Sequence, residues 1–382
     1  MDVSEKGGKI RPSATLALNA KTKEMAKAGK DVINLAVGEP DFPTPENICR
    51  AAIRAINEGF TKYTPAEGIA ELREAIARKL MKDNGLKYQS DEIIVSNGTK
   101  HSIYTALQAV LNQGDQVVMP SPCWVSYSEQ VMLAGGVPVF AGTLDLDTES
   151  MEKSITEKTK AIIINTPNNP TGAVYSKEAL KAVAQIAVAR GIFMLSDEIY
   201  EKLVYGKTHH SMAEFAPHNT IVLNGLSKSY AMTGWRMGYA AGPARVIKAM
   251  ANIQSHTTGS INSITQKAAI EALAGPQDSV EDMRKAFEQR RDFVAKRLDE
   301  MGLPCANPEG AFYAFPDISE FGSSSTFSSM LLENAGVAVV PGIEFGSDKH
   351  IRISYATSMQ NLEKAMERIE KTLNDWEKMV RL

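Results

Sequence analysis

Lys228 lies in the segment Gly225-Leu226-Ser227-Lys228-Ser229-Tyr230-Ala231-Met232-Thr233-Gly234-Trp235-Arg236-Met237-Gly238-Tyr239. A lysine amine can join a carbonyl cofactor as a Schiff base. Ser227 offers a hydroxyl to a phosphate, and Arg236 offers a planar charged fork to the same group. The small residues between them let backbone approach a ligand closely. A lone lysine is ordinarily a solvated surface charge. Here a strand-like run, Thr220 to Asn224, delivers it into a Gly/Ser-rich turn. Amine, hydroxyl and guanidinium together suit a carbonyl cofactor that carries a phosphate, and pyridoxal 5′-phosphate (PLP) is one.

Other residues could serve the same chemistry. Asp197 closes the apolar run Met194-Leu195-Ser196. A buried carboxylate there needs a cationic partner, which a protonated pyridine nitrogen would supply; a helix N-cap is the plainer role. Tyr200, three residues on, either reaches a cofactor oxygen or packs in the core. Gly98 and Thr99, after Asn97, stand between a strand and a helix, where free N–H groups bind phosphate. Asn169 sits in the turn-rich loop Asn168 to Gly172, with an amide able to bond both a phenolate and a carboxylate. Trp124 offers an indole for stacking on a ring or for packing. Arg352 alternates with Ile351 and Ile353, as an exposed strand residue or as a bidentate clamp for a carboxylate.

These residues must be positioned by alternating elements. Strands are expected at Asp31–Val37, Glu92–Ser96, Gln116–Pro120, Val137–Phe140, Lys160–Asn165, Ile192–Ser196 and Thr220–Asn224. Helices are expected at Ala14–Lys27, Pro45–Asn57, Gly68–Met81, His101–Leu111, Trp124–Ala134 and Lys177–Arg190. The alternation predicts an α/β fold with a mostly parallel sheet flanked by helices. After Arg245 helices dominate. A long helix from about Asp278 to Gly302 leads into a last module with strands at Ala311–Phe315, Val337–Val340 and His350–Ser354. Gly98, Asn169, Asp197 and Lys228 each follow a strand, and open α/β sheets bind ligands at the carboxyl ends of their strands.

At 382 residues and 43% hydrophobic, the chain has material for a large domain and a smaller one. A net charge of −3 argues against a nucleic-acid partner. Three scattered cysteines suggest neither disulfides nor zinc, and a cytoplasmic location is expected. Met1 to Arg11 is polar and lacks an apolar signal core, no stretch is long and apolar enough to span a membrane, and no G-x-G-x-x-G follows the first strand. His209-His210 has no partner cluster in the sequence and is expected to be a pair of loop histidines, with no metal site.

The chain resembles the class I aminotransferases of PLP fold type I, in particular their bacterial aspartate aminotransferase subgroup. The resemblance rests on Arg11 to Thr15, Gly38 to Phe42, Lys62 to Pro65, Pro122 to Tyr127, Asn168 to Gly172, Ser196 to Tyr200, Ser227-Lys228, Gly234 to Arg236 and Arg352 to Tyr355, in the family's order nearly end to end. It implies that Lys228 holds PLP covalently and, once freed, moves a proton as base and acid. By the same likeness Asp197 pairs with the ring nitrogen, Asn169 and Tyr200 bond the phenolic oxygen, and Trp124 stacks on the ring. Gly98, Thr99, Ser227 and Arg236 hold the phosphate, and Tyr63 reaches the phosphate of a neighbouring subunit in a homodimer. Arg352 and Asn169, with the Gly38 backbone, take the substrate α-carboxylate, while Lys100, Ser13 and Thr15 read the distal carboxylate. The implied cis prolines are Pro122 and Pro170.

The implied domains are residues 1–45, a segment joining the small domain; 46–285, the large PLP-binding domain; and 286–382, the small domain. The implied reaction is ping-pong transfer of the amino group of aspartate or glutamate to a 2-oxo acid. Aspartate/prephenate or aromatic transamination, or another PLP chemistry such as C–S lysis, are the alternatives. Two departures stand out. Gly225 replaces a serine that bonds phosphate in some relatives, and Cys123 stands beside Trp124 where an aromatic is common.

Overall fold

The computed structural model describes residues 2–4, 7–8, 10–142 and 144–380. Seven strands form the central sheet: β2 (Ile93–Ser96), β3 (Gln116–Pro120), β4 (Val137–Ala141), β5 (Thr159–Asn165), β6 (Phe193–Asp197), β7 (Thr220–Gly225) and β8 (Gly238–Ala241). Their order is β2-β8-β7-β6-β5-β3-β4. Only β8 runs antiparallel to its neighbours, so the sheet is mostly parallel. The near-continuous apolar runs of β5 and β7 are what a strand covered on both faces requires.

Alternation divides the core into two faces. Val222 packs with Ile93, Val95 and Tyr239 on one side, where α2 (Glu46–Asn57), α3 (Ala70–Asn84) and α9 (Ser263–Ala274) lie. Ile221 and Leu223 pack with Ile94, Leu195 and Ala240 on the other, under α4 (Thr99–Val110) and α8 (Ala244–Thr257). Each helix takes the face its own apolar stripe can bury.

Beyond the central sheet, β1 (Ile33–Asn34) pairs in parallel with β10 (Val337–Ala338), and β9 (Tyr313–Ala314) and β11 (Val340–Pro341) flank β12 (Ile351–Ser354). The long helix α10 spans Asp278–Glu300. A core made of Ile33 and Leu35, Val294 and Leu298, and Val337 and Ile353 joins the chain's early residues to its late ones.

Several expectations differ in detail. Only Ile33 and Asn34 of the expected strand 31–37 form a ladder. The expected strand 337–340 is two strands with different partners. A short helix, α6 (Thr148–Ser154), was not expected; Asp147 caps it by accepting from Glu149 and Ser150 N–H groups at 3.0 and 3.3 Å. β8 was also not expected, because Gly238–Ala241 is short and carries few β-branched residues. The cis proline bonds are Ser121–Pro122 and Thr166–Pro167, so Pro167, not Pro170, is cis.

Gly225 and Gly238 face each other at the end of the β7–β8 ladder. A Cβ on Gly225 would come 2.7 Å from Thr99 Oγ1, and one on Gly238 would come 2.3 Å from Thr99 N. The glycines let the start of α4 press against the sheet. A serine at 225 would push Thr99 away, which explains the departure at that position in steric terms.

Candidate active site

The carboxyl ends of β3, β5, β6 and β7 open into a cavity of about 320 Å³. Lys228, Asp197, Tyr200, Asn169 and Trp124 line it, as do Thr99, Ser227 and Arg236. So do Arg352, Lys100, Gly38, Ser13 and Thr15. Gly98 lies just behind the wall as the residue before α4, at φ +79°. Tyr63 does not reach this cavity; it is 99% exposed.

Asp197 is buried where β6 ends. Tyr127 donates its hydroxyl to Oδ2 at 2.6 Å, and the Ile199 N–H donates to Oδ1 at 3.3 Å. Burial pushes the Asp197 carboxyl up to about 6, against the lowering effect of those two donors. No described lysine, arginine or histidine forms an ion pair with it. Lys228 Nζ donates to the Gly38 carbonyl. Burial lowers the Lys228 amine to about 8; the carboxylate of Glu39 opposes that shift and the charge of Arg352 reinforces it.

Arg236 holds the other end. A positive φ of 56° turns its side chain back, so that Nη1 donates to Thr233 O at 2.8 Å and Nη2 to Asn97 O at 3.4 Å. A Cβ on Gly98 would meet Nη2 at 2.5 Å, so only glycine lets the guanidinium cross the start of α4. That helix has no side-chain cap, and its N-terminal dipole adds positive potential beside Arg236. No described carboxylate pairs with Arg236.

Arg352 is buried on β12 beneath the cavity. Its Nη1 donates to Asn169 Oδ1 at 3.0 Å and its Nη2 to Ala36 O at 2.8 Å, but its Nε has no partner. The rings of Tyr313 and Phe345 lie 4.4 and 4.9 Å from the guanidinium carbon. A buried cation with a spare donor and no described carboxylate partner is suited to an incoming anion. Asn165 fixes the neighbouring loop: its Oδ1 accepts from Asn169 N at 2.8 Å and its Nδ2 donates to Asp197 O at 2.9 Å.

Lys100 Nζ stands 4.8 Å from the centre of the Trp124 ring. Burial and the nearby charge of Arg236 hold its amine below the usual lysine range. Ser13 and Thr15 bond each other through their hydroxyls at 3.0 Å. Arg11, beside them, bonds Glu129 at 3.1 Å and ties this segment to α5 (Ser126–Leu133). Burial raises the Cys123 thiol to about 12, so it packs as an inert neutral group.

Further residues line the cavity that the sequence motifs do not single out, among them Tyr127, Asn165, Glu39 and Tyr313. Tyr313 bonds Tyr200 hydroxyl to hydroxyl at 3.0 Å. Tyr127 had a signal, since three residues after Trp124 it would share a face of the expected helix Trp124–Ala134; in the structure Trp124 precedes α5 and the two rings meet edge to face. Glu39 follows Gly38 in the same turn and Asn165 closes β5, whereas Tyr313 meets the site only through tertiary pairing.

His209 lies in a loop, as expected, but its side chain is tucked against acidic partners, with Nε2 3.2 Å from Glu198 Oε2. Glu198 also accepts from Ser196 at 2.7 Å and Ser211 at 2.5 Å. Glu201 pairs with the buried Lys79 and accepts from Asn84 at 2.8 Å. Glu198, Glu201 and His209 offer ligand atoms within 4.8 Å of one another, and the Lys79 ammonium already serves as cation for the group. Thus the turn Asp197–Glu201 sends Asp197 and Tyr200 to the cavity, and Glu198 and Glu201 to a charge network behind it.

The cavity therefore presents an unpaired buried carboxylate at one end, an unpaired guanidinium at a helix start at the other, and a lysine amine of lowered basicity. A group with a cationic nitrogen, a phosphate and a carbonyl fits that donor set.

The family profile described as "Aminotransferase class I and II" matches residues 30–369. The chain is 49% identical over 387 residues to an aspartate aminotransferase of Geobacillus stearothermophilus, covering 97% of this chain and 98% of the relative. It is 47% identical over 372 residues to an aspartate/prephenate aminotransferase of Thermus thermophilus, covering 95% and 97%. The solved aspartate aminotransferase from Thermus thermophilus with maleate superposes with a TM-score of 0.96 at 46% identity, covering 97% of this chain and all of that one. The chain belongs to the class I and II aminotransferase family.

Proposed function

We propose that the protein is a PLP-dependent aspartate aminotransferase, passing the amino group of aspartate or glutamate to a 2-oxo acid. One observation carries the reading of the site: the Lys228 amine stands in a cavity with an unpaired buried carboxylate, Asp197, and an unpaired guanidinium, Arg236. When bound, PLP supplies an electron sink for the negative charge that develops at the substrate α-carbon.

The chain's own residues do the rest. With PLP bound, Asp197 would pair with the ring nitrogen, and Asn169 and Tyr200 would bond the phenolic oxygen. Arg236, Ser227 and the Gly98–Thr99 backbone would take the phosphate, and Trp124 would stack on the ring. Arg352 and Asn169 bind the substrate α-carboxylate, with help from the Gly38 segment. Lys228 Nζ takes the α-proton and returns it. An amine lowered to about 8 is partly neutral at physiological pH, which general-base work needs. Lys100 with Ser13 and Thr15 receives the distal carboxylate of a dicarboxylic substrate.

The active unit is a cytoplasmic homodimer in which Tyr63, exposed here, reaches the partner's phosphate. Residues 46–285 form the large domain, 286–382 the small one, and 1–45 join the latter, a division that the β1–β10 pairing supports. No described helix is long and apolar enough to cross a membrane.

The test is a half-reaction. Adding L-aspartate alone to the PLP-loaded protein is expected to shift the visible band to shorter wavelength and release oxaloacetate. A PLP band that aspartate leaves unchanged while other amino acids shift it would overturn the substrate. Prephenate is the second acceptor to try, because relatives at 45–47% identity bear that name.

A further inference from the structure

Asp197 is supported by a residue to which the reading above gives no part. Tyr127 is 1% exposed, on the helix α5 that follows Trp124. Its hydroxyl points at Asp197 Oδ2 across 2.6 Å, while the only other described donor, Ile199 N, stands at 3.3 Å from Oδ1. The edge of its ring meets Trp124, with centroids 5.3 Å apart and planes at 86°. One side chain thus touches both the carboxylate at the floor of the cavity and the indole at its wall.

The chemistry of that contact has one direction. Burial and the facing carboxylate keep the phenol neutral, so its O–H donates and the carboxylate accepts. A short O–H···O⁻ bond is about twice as strong as a neutral one and favours the anionic form of the acid. It acts against burial, which otherwise favours a neutral Asp197. The other ionisable groups that bear on this carboxylate are Glu198, which disfavours the anion, and Lys228, which favours it.

We propose that Tyr127 is a positioning residue that holds the Asp197 carboxylate anionic and aimed into the cavity, and so keeps the pyridine nitrogen of bound PLP protonated. The proposal rests on the PLP reading. Without the hydroxyl, the proton shared between ring nitrogen and Asp197 moves toward the acid, and the ring becomes a weaker electron sink. The substrate α-carboxylate is held elsewhere, by Arg352 and Asn169, and the distal one by Lys100 with Ser13 and Thr15, so substrate binding is not expected to change.

The test uses the full-length protein reconstituted with PLP labelled with ¹⁵N in the ring. In Tyr127→Phe, the ring-nitrogen resonance is expected to move toward the neutral-pyridine position, and PLP to bind about tenfold more weakly to the apoprotein, from the loss of one charged hydrogen bond. The kcat is expected to fall while KM for aspartate stays within about twofold, as for a change that leaves substrate binding alone. Replacement of Tyr127 by 3-fluorotyrosine, a near-isosteric and more acidic donor, is expected to move the resonance the other way at alkaline pH, and serves as the test if Tyr127→Phe does not fold. An unmoved resonance in a folded variant would overturn the proposal. Failure of the unsubstituted apoprotein to bind PLP would sink the reading beneath it instead.

Discussion

Arg352 and Asn169 stand 183 residues apart in the chain and meet through a 3.0 Å hydrogen bond from Nη1 to Oδ1. The bond joins β12 to the loop after β5. It leaves the Nε edge of a buried guanidinium unpaired beside the cavity.

That edge predicts the behaviour of Arg352→Ala. Losing a charged bidentate contact costs about 2–4 kcal/mol, or roughly 30- to 1,000-fold in kcat/KM for aspartate and for 2-oxoglutarate alike. Arg352→Lys is expected to recover little, since an ammonium cannot reproduce the fork. Steady-state kinetics with both substrates checks this; a variant within threefold of the parent would contradict it.

Lys228 predicts a pH profile for cofactor capture. Only the neutral amine attacks an aldehyde, and burial sets that amine near 8. The rate at which apoprotein captures PLP is therefore expected to rise with pH and level off above about 8, where an ordinary lysine would keep rising toward about 10. Stopped-flow absorbance reads the midpoint, and Lys228→Ala is expected to abolish the covalent band.

Asp197 predicts a trade between stability and function. Its folded value, about 6, lies above the unfolded carboxylate value of about 3.9. A raised acid stabilises the apoprotein below the unfolded value, and that contribution is lost as pH rises through about 6. At pH 7.5 the buried anion thus costs on the order of 2–3 kcal/mol. Asp197→Asn apoprotein is expected to melt higher than the parent at pH 7.5, with the gap closing toward pH 4, and to lose most transaminase activity. Calorimetry of the two apoproteins at both pH values decides it.

The network behind the turn predicts the opposite sign. Glu201 is held at about 2, by Lys79 and by its hydrogen bonds against the cost of burial. The stability this adds is present above the unfolded value, about 4.3, and is lost as pH falls through about 2. Lys79→Met strands a buried carboxylate and is expected to cost about 3–5 kcal/mol. Urea unfolding at pH 7 measures it, and a loss under 1 kcal/mol would show that the pair carries little.

Lys100 predicts a specificity change. With its ammonium over Trp124 and beside the Ser13–Thr15 hydroxyl pair, Lys100→Ser is expected to lower kcat/KM for aspartate by about 10- to 100-fold, the worth of one charged contact. The value for an aromatic amino acid is expected to hold within about threefold. A parallel loss for both substrates would remove Lys100 from specificity.

Much of this was legible in the sequence. The strands β3, β5, β6 and β7 showed themselves because strands buried on both faces must be apolar throughout. Residues just past their ends were then candidates for one site, since parallel strands deliver their carboxyl ends to one edge. Asn169, Asp197 and Lys228 lie there. Less legible were β8, too short to have a pattern, and β1, whose two ladder residues acquire a strand partner only from residues 337–338.

By itself the sequence determined most of the order of elements, the sheet's mostly parallel character and many of the residues able to carry chemistry, because periodicity and residue type are local properties. Tertiary structure alone decided which of them meet. It placed Arg352 beneath Asn169, set Tyr127 against Asp197, buried His209 and Lys79 with two carboxylates, and required glycine at 225 and 238 for the approach of α4. Those outcomes depend on distances between segments tens to hundreds of residues apart. Charge, burial and steric fit are set by such distances, and no local pattern in the chain encodes them.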